Sequence, residues 1–116
     1  LQAQIPDAEE SRLEGSSLSI QCPYTERTYY SDPKAWCRLR HGKCEPLVET
    51  TYSPSHPNTN SAKNGKVTIV DDAIHKTVSI TMTNLQAEDL GTYFCAYYSN
   101  GYGYFTLKMI SLNVFK

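Results

Sequence analysis

Four cysteines, Cys22, Cys37, Cys44 and Cys95, constrain this 116-residue chain more than any other feature. They allow three pairings, and none of the gaps has the two-residue spacing of a zinc ribbon or a redox motif. Disulfides are the expectation, and with them an oxidising compartment. A bridge from Cys22 to Cys95 closes a loop of about 70 residues, worth roughly 4 kcal/mol in the chain-entropy model. Cys37 and Cys44 are separated by six residues centred on Arg40, His41 and Gly42. They are expected opposite each other on a hairpin, joined by a local staple worth roughly 2.5 kcal/mol.

The rest of the chain alternates. Leu18, Ile20 and Cys22 point one way in a first strand, and Val67 with Ile69, then Val78, Ile80 and Met82, form two more, while no long stretch keeps helical spacing. An all-β chain follows, one domain over residues 1–116, since the length suits one core and no linker interrupts it. Around Lys34-Ala35-Trp36-Cys37-Arg38, a strand that turns Trp36 into the core turns Cys37 outward, where it meets Cys44. From Thr50 to Gly65 the chain is Ser, Thr, Asn and Pro with almost no aliphatic residue, which reads as a long mobile loop with room for a short edge strand.

Leu85 to Cys95 combines the separate signals. Tyr93 lies two residues before Cys95, and Trp36 lies 14 residues after Cys22. Those are the positions of the tyrosine corner on strand F and the core tryptophan on strand C of an immunoglobulin sandwich. The fold class expected is therefore a V-type immunoglobulin β-sandwich, with Cys22 and Cys95 joining the two sheets. Asp89 is expected to pair with Lys66 across the bottom of that sandwich.

After Cys95, the dipeptide Asn100-Gly101 favours a type I′ hairpin turn. That centre pairs Ser99 with Tyr102, Tyr97 with Tyr104 and Cys95 with Thr106. Strict alternation then puts Lys108 on the same side as Ile110, Leu112 and Val114, which a β-bulge near Gly103 would relieve.

Five patches between Glu14 and Cys95 resemble the TREM family, the triggering receptors expressed on myeloid cells, and their TREM-like relatives. They are Glu14-Gly15 with Leu18 to Tyr24, then Lys34-Ala35-Trp36-Cys37-Arg38, then Cys44-Glu45-Pro46-Leu47-Val48, then Ile69-Val70-Asp71-Asp72, and Ile80-Thr81-Met82 leading into Leu85 and Asp89-Leu90-Gly91. The extra cysteine pair is shared with the leukocyte mono-immunoglobulin-like receptors and the first domain of the polymeric immunoglobulin receptor, the close alternatives. Phe94 stands where many relatives have Trp. The resemblance implies an immune receptor ectodomain on the extracellular face of the plasma membrane, type I in topology and signalling through an adaptor or a tail. A secreted form is compatible with the same sequence.

Three loops cluster at one end of a V-type sandwich. Tyr29 and Tyr30 fall in the first, Tyr52 beside the second, and Tyr97, Tyr98, Tyr102, Tyr104 and Phe105 in or beside the third. Tyrosine gives large, stiff contact area, so these residues are the candidate contacts for a protein ligand. A second reading uses the bases. Five of them and two acids fall between Glu26 and Lys43, a local net charge of +3 against −1 for the whole chain. Lys34, Arg38, Arg40 and Lys43 could then meet an anionic lipid or a polyanionic glycan. A third is weak homodimerisation through the face of strands C, C′, F and G. A net charge of −1 gathers no phosphates, so nucleic acid is not an expected partner. His41, His56 and His75 have no metal-ligand spacing, and neither a phosphate loop nor a nucleophile elbow occurs. No metal, no cofactor and no catalytic residue are expected, and no Asn-x-Ser/Thr acceptor for N-glycan is present.

Overall fold

The computed structural model describes residues 5–116, and nine strands with one short 3-10 helix form among them. The strands are β1 (Ala8–Leu13), β2 (Leu18–Pro23), β3 (Lys34–Arg40), β4 (Lys43–Glu49), β5 (Thr59–Asn64), β6 (Val67–Asp72), β7 (Thr77–Met82), β8 (Gly91–Ser99) and β9 (Gly103–Phe115), with the helix at Ala87–Asp89. They make two facing sheets, ordered β1-β9-β8-β3-β4 and β2-β7-β6-β5. Every pairing is antiparallel except that of β1 with β9.

Period-two alternation drives the sandwich shut. Leu18, Ile20 and Cys22 alternate buried with exposed neighbours along β2, and Val78, Ile80 and Met82 do the same on β7. Against them, β3 and β8 contribute Trp36, Tyr93 and Cys95, all 1% exposed or less. The Trp36 ring stacks on Tyr93 with centroids 5.5 Å apart, and its indole N–H donates to the Met82 sulfur at 3.3 Å. Cys22 and Cys95 are bridged between the sheets with Cα atoms 6.6 Å apart, and Cys37 and Cys44 within one sheet at 5.1 Å. Both separations suit a disulfide.

The lower end is pinned by side chains on backbone carbonyls. The Tyr93 hydroxyl donates to the Asp89 carbonyl at 2.5 Å, which is the tyrosine corner. Lys66 pairs with the Asp89 carboxylate, as expected from the sequence. Arg38 lies over the Tyr93 ring and donates to the carbonyls of Glu88 and Leu90 at 3.0 and 2.6 Å.

Four expectations need correction. The first concerns the length of the loop from Thr50 to Gly65: the edge strand for which the sequence left room is β5, which takes up the second half of the segment and pairs with β6 along its whole length. Only Gly65 and Lys66 connect the two strands, and Gly65 sits at φ +59, the first central position of a tight hairpin turn. That turn commits β5 to the smaller sheet, where a V-type domain ordinarily adds such a strand to the larger one.

The second is the cysteine hairpin. His41 and Gly42 both have positive φ, so the turn centres on them and pairs Arg40 with Lys43 and Leu39 with Cys44. Cys37 therefore lies diagonal to Cys44, on the same face, and not opposite it. The demand of Gly42 for a turn position outweighs the symmetry of the six-residue spacing.

The third is the hairpin after Cys95. Gly101 has φ +85 while Asn100 stays at negative φ, so a type I′ turn does not form. Three residues loop out, and Ser99 pairs with Gly103, Tyr98 with Tyr104 and Tyr97 with Phe105. The bulge falls between Cys95 and Ala96, opposite Leu107, and not at Gly103. Lys108 stays on the core side opposite Cys95, and its ammonium escapes by reaching the Gln21 carbonyl at 3.3 Å. The fourth correction, at Lys34, belongs to the functional end.

Candidate functional site

Loop 1 (residues 24–33), loop 2 (residues 50–58) and the β8–β9 turn (residues 100–102) meet at one end of the sandwich. Their bases are tied together through the backbone. The Lys34 N–H donates to the Thr50 hydroxyl at 2.9 Å, and the Thr50 N–H returns to the Lys34 carbonyl at 2.8 Å. On the other side, the Tyr98 N–H donates to the Pro33 carbonyl at 2.9 Å. A fourth segment shares this end, for the β6–β7 turn exposes Ile74 and donates the Ala73 N–H to the Asn58 carbonyl.

Beneath loop 1 lies a buried ion pair. Lys34 follows the inward alternation of Trp36 and is 0% exposed, so it is not part of a surface basic patch. Its ammonium meets the Asp71 carboxylate at 2.8 Å and donates to the carbonyls of Tyr29 and Asp32 at 3.0 and 2.7 Å. The Tyr30 carbonyl lies at 3.4 Å as well, so four acceptors share its three hydrogens. The second Asp71 oxygen accepts the Tyr24 hydroxyl, and the ammonium sits 4.9 Å over the Tyr24 ring. Burial, and then the bond to Asp71, push the Tyr24 phenol well above its ordinary range. The core end of loop 1 is thus held by electrostatics where the rest of the core is apolar.

The other predicted bases also fail to gather. Arg38 is consumed by the lower end as described, and Arg40 pairs with Glu45 at 3.1 Å in an exposed pair. Lys43 alone of the four is exposed without an ion pair.

The predicted aromatic residues divide into a rim and a wall. Tyr29, Tyr30 and Tyr102 project, 68%, 54% and 81% exposed, with Phe105 at 42%. Tyr97 is buried and stacks on Phe105 with centroids 5.4 Å apart, so it supports the rim and does not join it. Tyr30 and Tyr52 pack edge to face at 5.5 Å, and so do Tyr98 and Tyr104 at 5.1 Å. Between these pairs opens a groove of about 680 Å³, bounded by loop 1, loop 2 and the two hairpin tyrosines. Glu49 lines it and accepts the Tyr104 hydroxyl at 3.1 Å. Burial first, and then this carboxylate, push the Tyr104 phenol up to about 12.

Sequence reasoning missed Asp71, Thr50 and Glu49. A signal for the first was present: Lys34 is two residues before Trp36, hence on its inward face, and a buried ammonium demands a carboxylate. Nothing in the residues around Glu49 marks it out. The outer face of β3, β4, β8 and β9, where homodimerisation was placed, carries Ala35, Phe94, Ala96 and Met109, none more than 6% exposed and packed with Cys44 and Tyr104. Among the described residues no cluster of His, Cys, Asp or Glu is placed to hold a metal ion, and no helix is long and apolar enough to cross a membrane.

Residues 7–115 match the immunoglobulin V-set domain family. The chain is 39% identical over 98 residues to triggering receptor expressed on myeloid cells 3 of Mus musculus, covering 82% of this chain and 52% of that protein. It is 36% identical over 85 residues to triggering receptor expressed on myeloid cells 2 of Mus musculus, covering 72% and 37%. It is 34% identical over 85 residues to triggering receptor expressed on myeloid cells 1 of Homo sapiens, covering 73% and 36%. The chain thus spans about a third to a half of the length of these relatives. With its inter-sheet disulfide, tyrosine corner and second cysteine bridge, the chain belongs to the immunoglobulin V-set family as a TREM-like domain.

Proposed function

We propose that this domain is the ligand-binding ectodomain of an innate immune receptor of TREM-like type, and that it takes a protein ligand at its loop end. One observation carries the reading: three loops whose bases are hydrogen-bonded to one another present Tyr29, Tyr30 and Tyr102 to solvent. A rigid frame removes much of the ordering cost of association, and exposed tyrosines supply area with few rotors to freeze. Counting only their exposed fractions, at roughly 150–250 Å² for a whole side chain, the three with Phe105 offer roughly 400–600 Å², at least about half of one side of a standard interface of about 800 Å².

Type I anchoring and signalling through an adaptor, both implied by the family, belong in this proposal to the whole receptor, of which this domain is the outer part. The alternative, an anionic lipid or glycan on a basic β3–β4 face, keeps only Arg40 and Lys43 at the surface, and Arg40 is paired. No observation favours it.

The test is staining of myeloid cells with fluorescent tetramers of the domain. Replacing Tyr29, Tyr30 and Tyr102 together by alanine is expected to reduce staining at least about tenfold, as loss of interface anchors does. Unchanged staining by the folded triple variant refutes the assignment.

A further inference from the structure

We propose that the groove beside Glu49 receives a cationic side chain, an arginine or lysine projecting from the partner protein. The proposal rests on the loop-end reading and names the chemistry of the partner.

Glu49 is a carboxylate without a cation: among the described residues no Lys, Arg or His pairs with it. Its one side-chain hydrogen bond comes from the Tyr104 hydroxyl, on a single oxygen. Lys34, whose backbone is bonded to the neighbouring Thr50, cannot answer it, because its ammonium lies under loop 1 and is held there by Asp71 and the carbonyls of Tyr29, Tyr30 and Asp32. The groove therefore carries an uncompensated negative charge in a partly desolvated setting.

Its walls suit the same ligand. Tyr98 and Tyr104 on one side and Tyr52 on the other line the space around that carboxylate. Aromatic faces attract a cation within about 6 Å, and the attraction grows when water is excluded. The remaining polar lining is hydroxyl, from Ser31, Thr50 and Thr51, with no ammonium or guanidinium to repel a base. A volume of about 680 Å³ admits a long side chain with the backbone that bears it. A purely apolar ligand would instead bury Glu49 unpaired, and an anionic one would meet it with like charge.

The experiment titrates the purified domain with N-acetyl-arginine amide and with its neutral isostere N-acetyl-citrulline amide, followed by two-dimensional NMR. The arginine probe is expected to shift the resonances of Glu49, Thr51, Tyr98 and Tyr104, and to bind at least about tenfold more tightly than the citrulline probe, since a charge-assisted bond outweighs a neutral one. Glu49→Gln keeps the shape and is expected to abolish that preference. Equal binding of the two probes, or an arginine preference unchanged in Glu49→Gln, overturns the proposal. The two readings separate cleanly. Loss of cell staining in the rim-tyrosine variant, with no arginine response in the native domain, overturns the cation site and leaves the loop-end reading standing. An arginine response with unaltered staining by the rim variant keeps the site and removes its role in ligand capture.

Discussion

Replacing Lys34 by methionine keeps the side chain's length and removes its charge, leaving Asp71 buried without a partner cation. Both side chains are at most 1% exposed, so bulk water cannot take the place of the ammonium. Removing one member of a buried pair costs about 3–5 kcal/mol, chiefly because the other charge stays desolvated. For a domain of this size, at about 4 °C per kcal/mol, the midpoint of thermal unfolding falls by about 12–20 °C. The double variant Lys34→Met with Asp71→Leu removes both charges and is expected to recover most of that loss. It stays short of native by about 1–3 kcal/mol, because the Tyr24 hydroxyl loses its acceptor. Guanidinium denaturation with the disulfides intact measures the native domain, the double variant and the two single variants, Lys34→Met and Asp71→Leu. A loss below about 1 kcal/mol in Lys34→Met, or a double variant no better than the sum of the two single ones, refutes the reasoning. Loop 1 provides an independent readout, since the carbonyls of Tyr29 and Asp32 lose their common donor and nearby amides should exchange faster.

Three more outcomes follow from the geometry. Replacing Cys37 and Cys44 by alanine should leave a folded domain weakened by about 2.5 kcal/mol, whereas the same change at Cys22 and Cys95 costs about 4 kcal/mol for its longer loop and opens the core beside Trp36 as well; denaturation of the two double variants should show that order. Tyr104 should titrate near pH 12 in an ultraviolet titration. Because its folded value lies above the ordinary 10, the stability it contributes is complete below pH 10 and is lost as pH rises toward 12, so alkaline denaturation of Tyr104→Phe should be shallower across that window. Gly91→Ala places a methyl group 3.2 Å from the Arg38 guanidinium at a φ of +155°, and should cost about 1–3 kcal/mol while releasing Arg38 from the Glu88 and Leu90 carbonyls, visible as a shift of its side-chain N–H signal.

The sandwich was legible where side chains alternate strongly. Cys22, Trp36, Tyr93 and Cys95 identified both sheets and their bridge because each position has one structural use in this fold. Strand β1 escaped notice because Ala8 to Leu13 is mostly polar, half-buried at alternate residues and held by parallel pairing to β9. The hairpin registers were misplaced, by two residues at the cysteine hairpin and by one at the β8–β9 turn, since turn type depends on which residue accepts positive φ and the identities of Gly42 and Gly101 admit more than one centring. At the loop end the aromatic rim followed from composition, but its depth did not. Lys34 looked like a surface base only because its neighbours are basic, and the alternation with Trp36 contained the correct reading. Glu49 owes its place in the groove to the register of β4 against β3, where it faces Ala35, and no local pattern encodes that.

The departure of β5 to the smaller sheet leaves β4 as an open border of the larger one. An open border invites a second chain to add itself strand by strand, the route to aggregation. Here the invitation is withdrawn. Pro46 offers no N–H, Leu47 bulges out of step between the partners of Trp36 and Cys37, and Lys43, Glu45 and Glu49 scatter charge along the strand. Crowded copies of the domain should therefore stay apart along this border, with their loop tips free to meet other molecules.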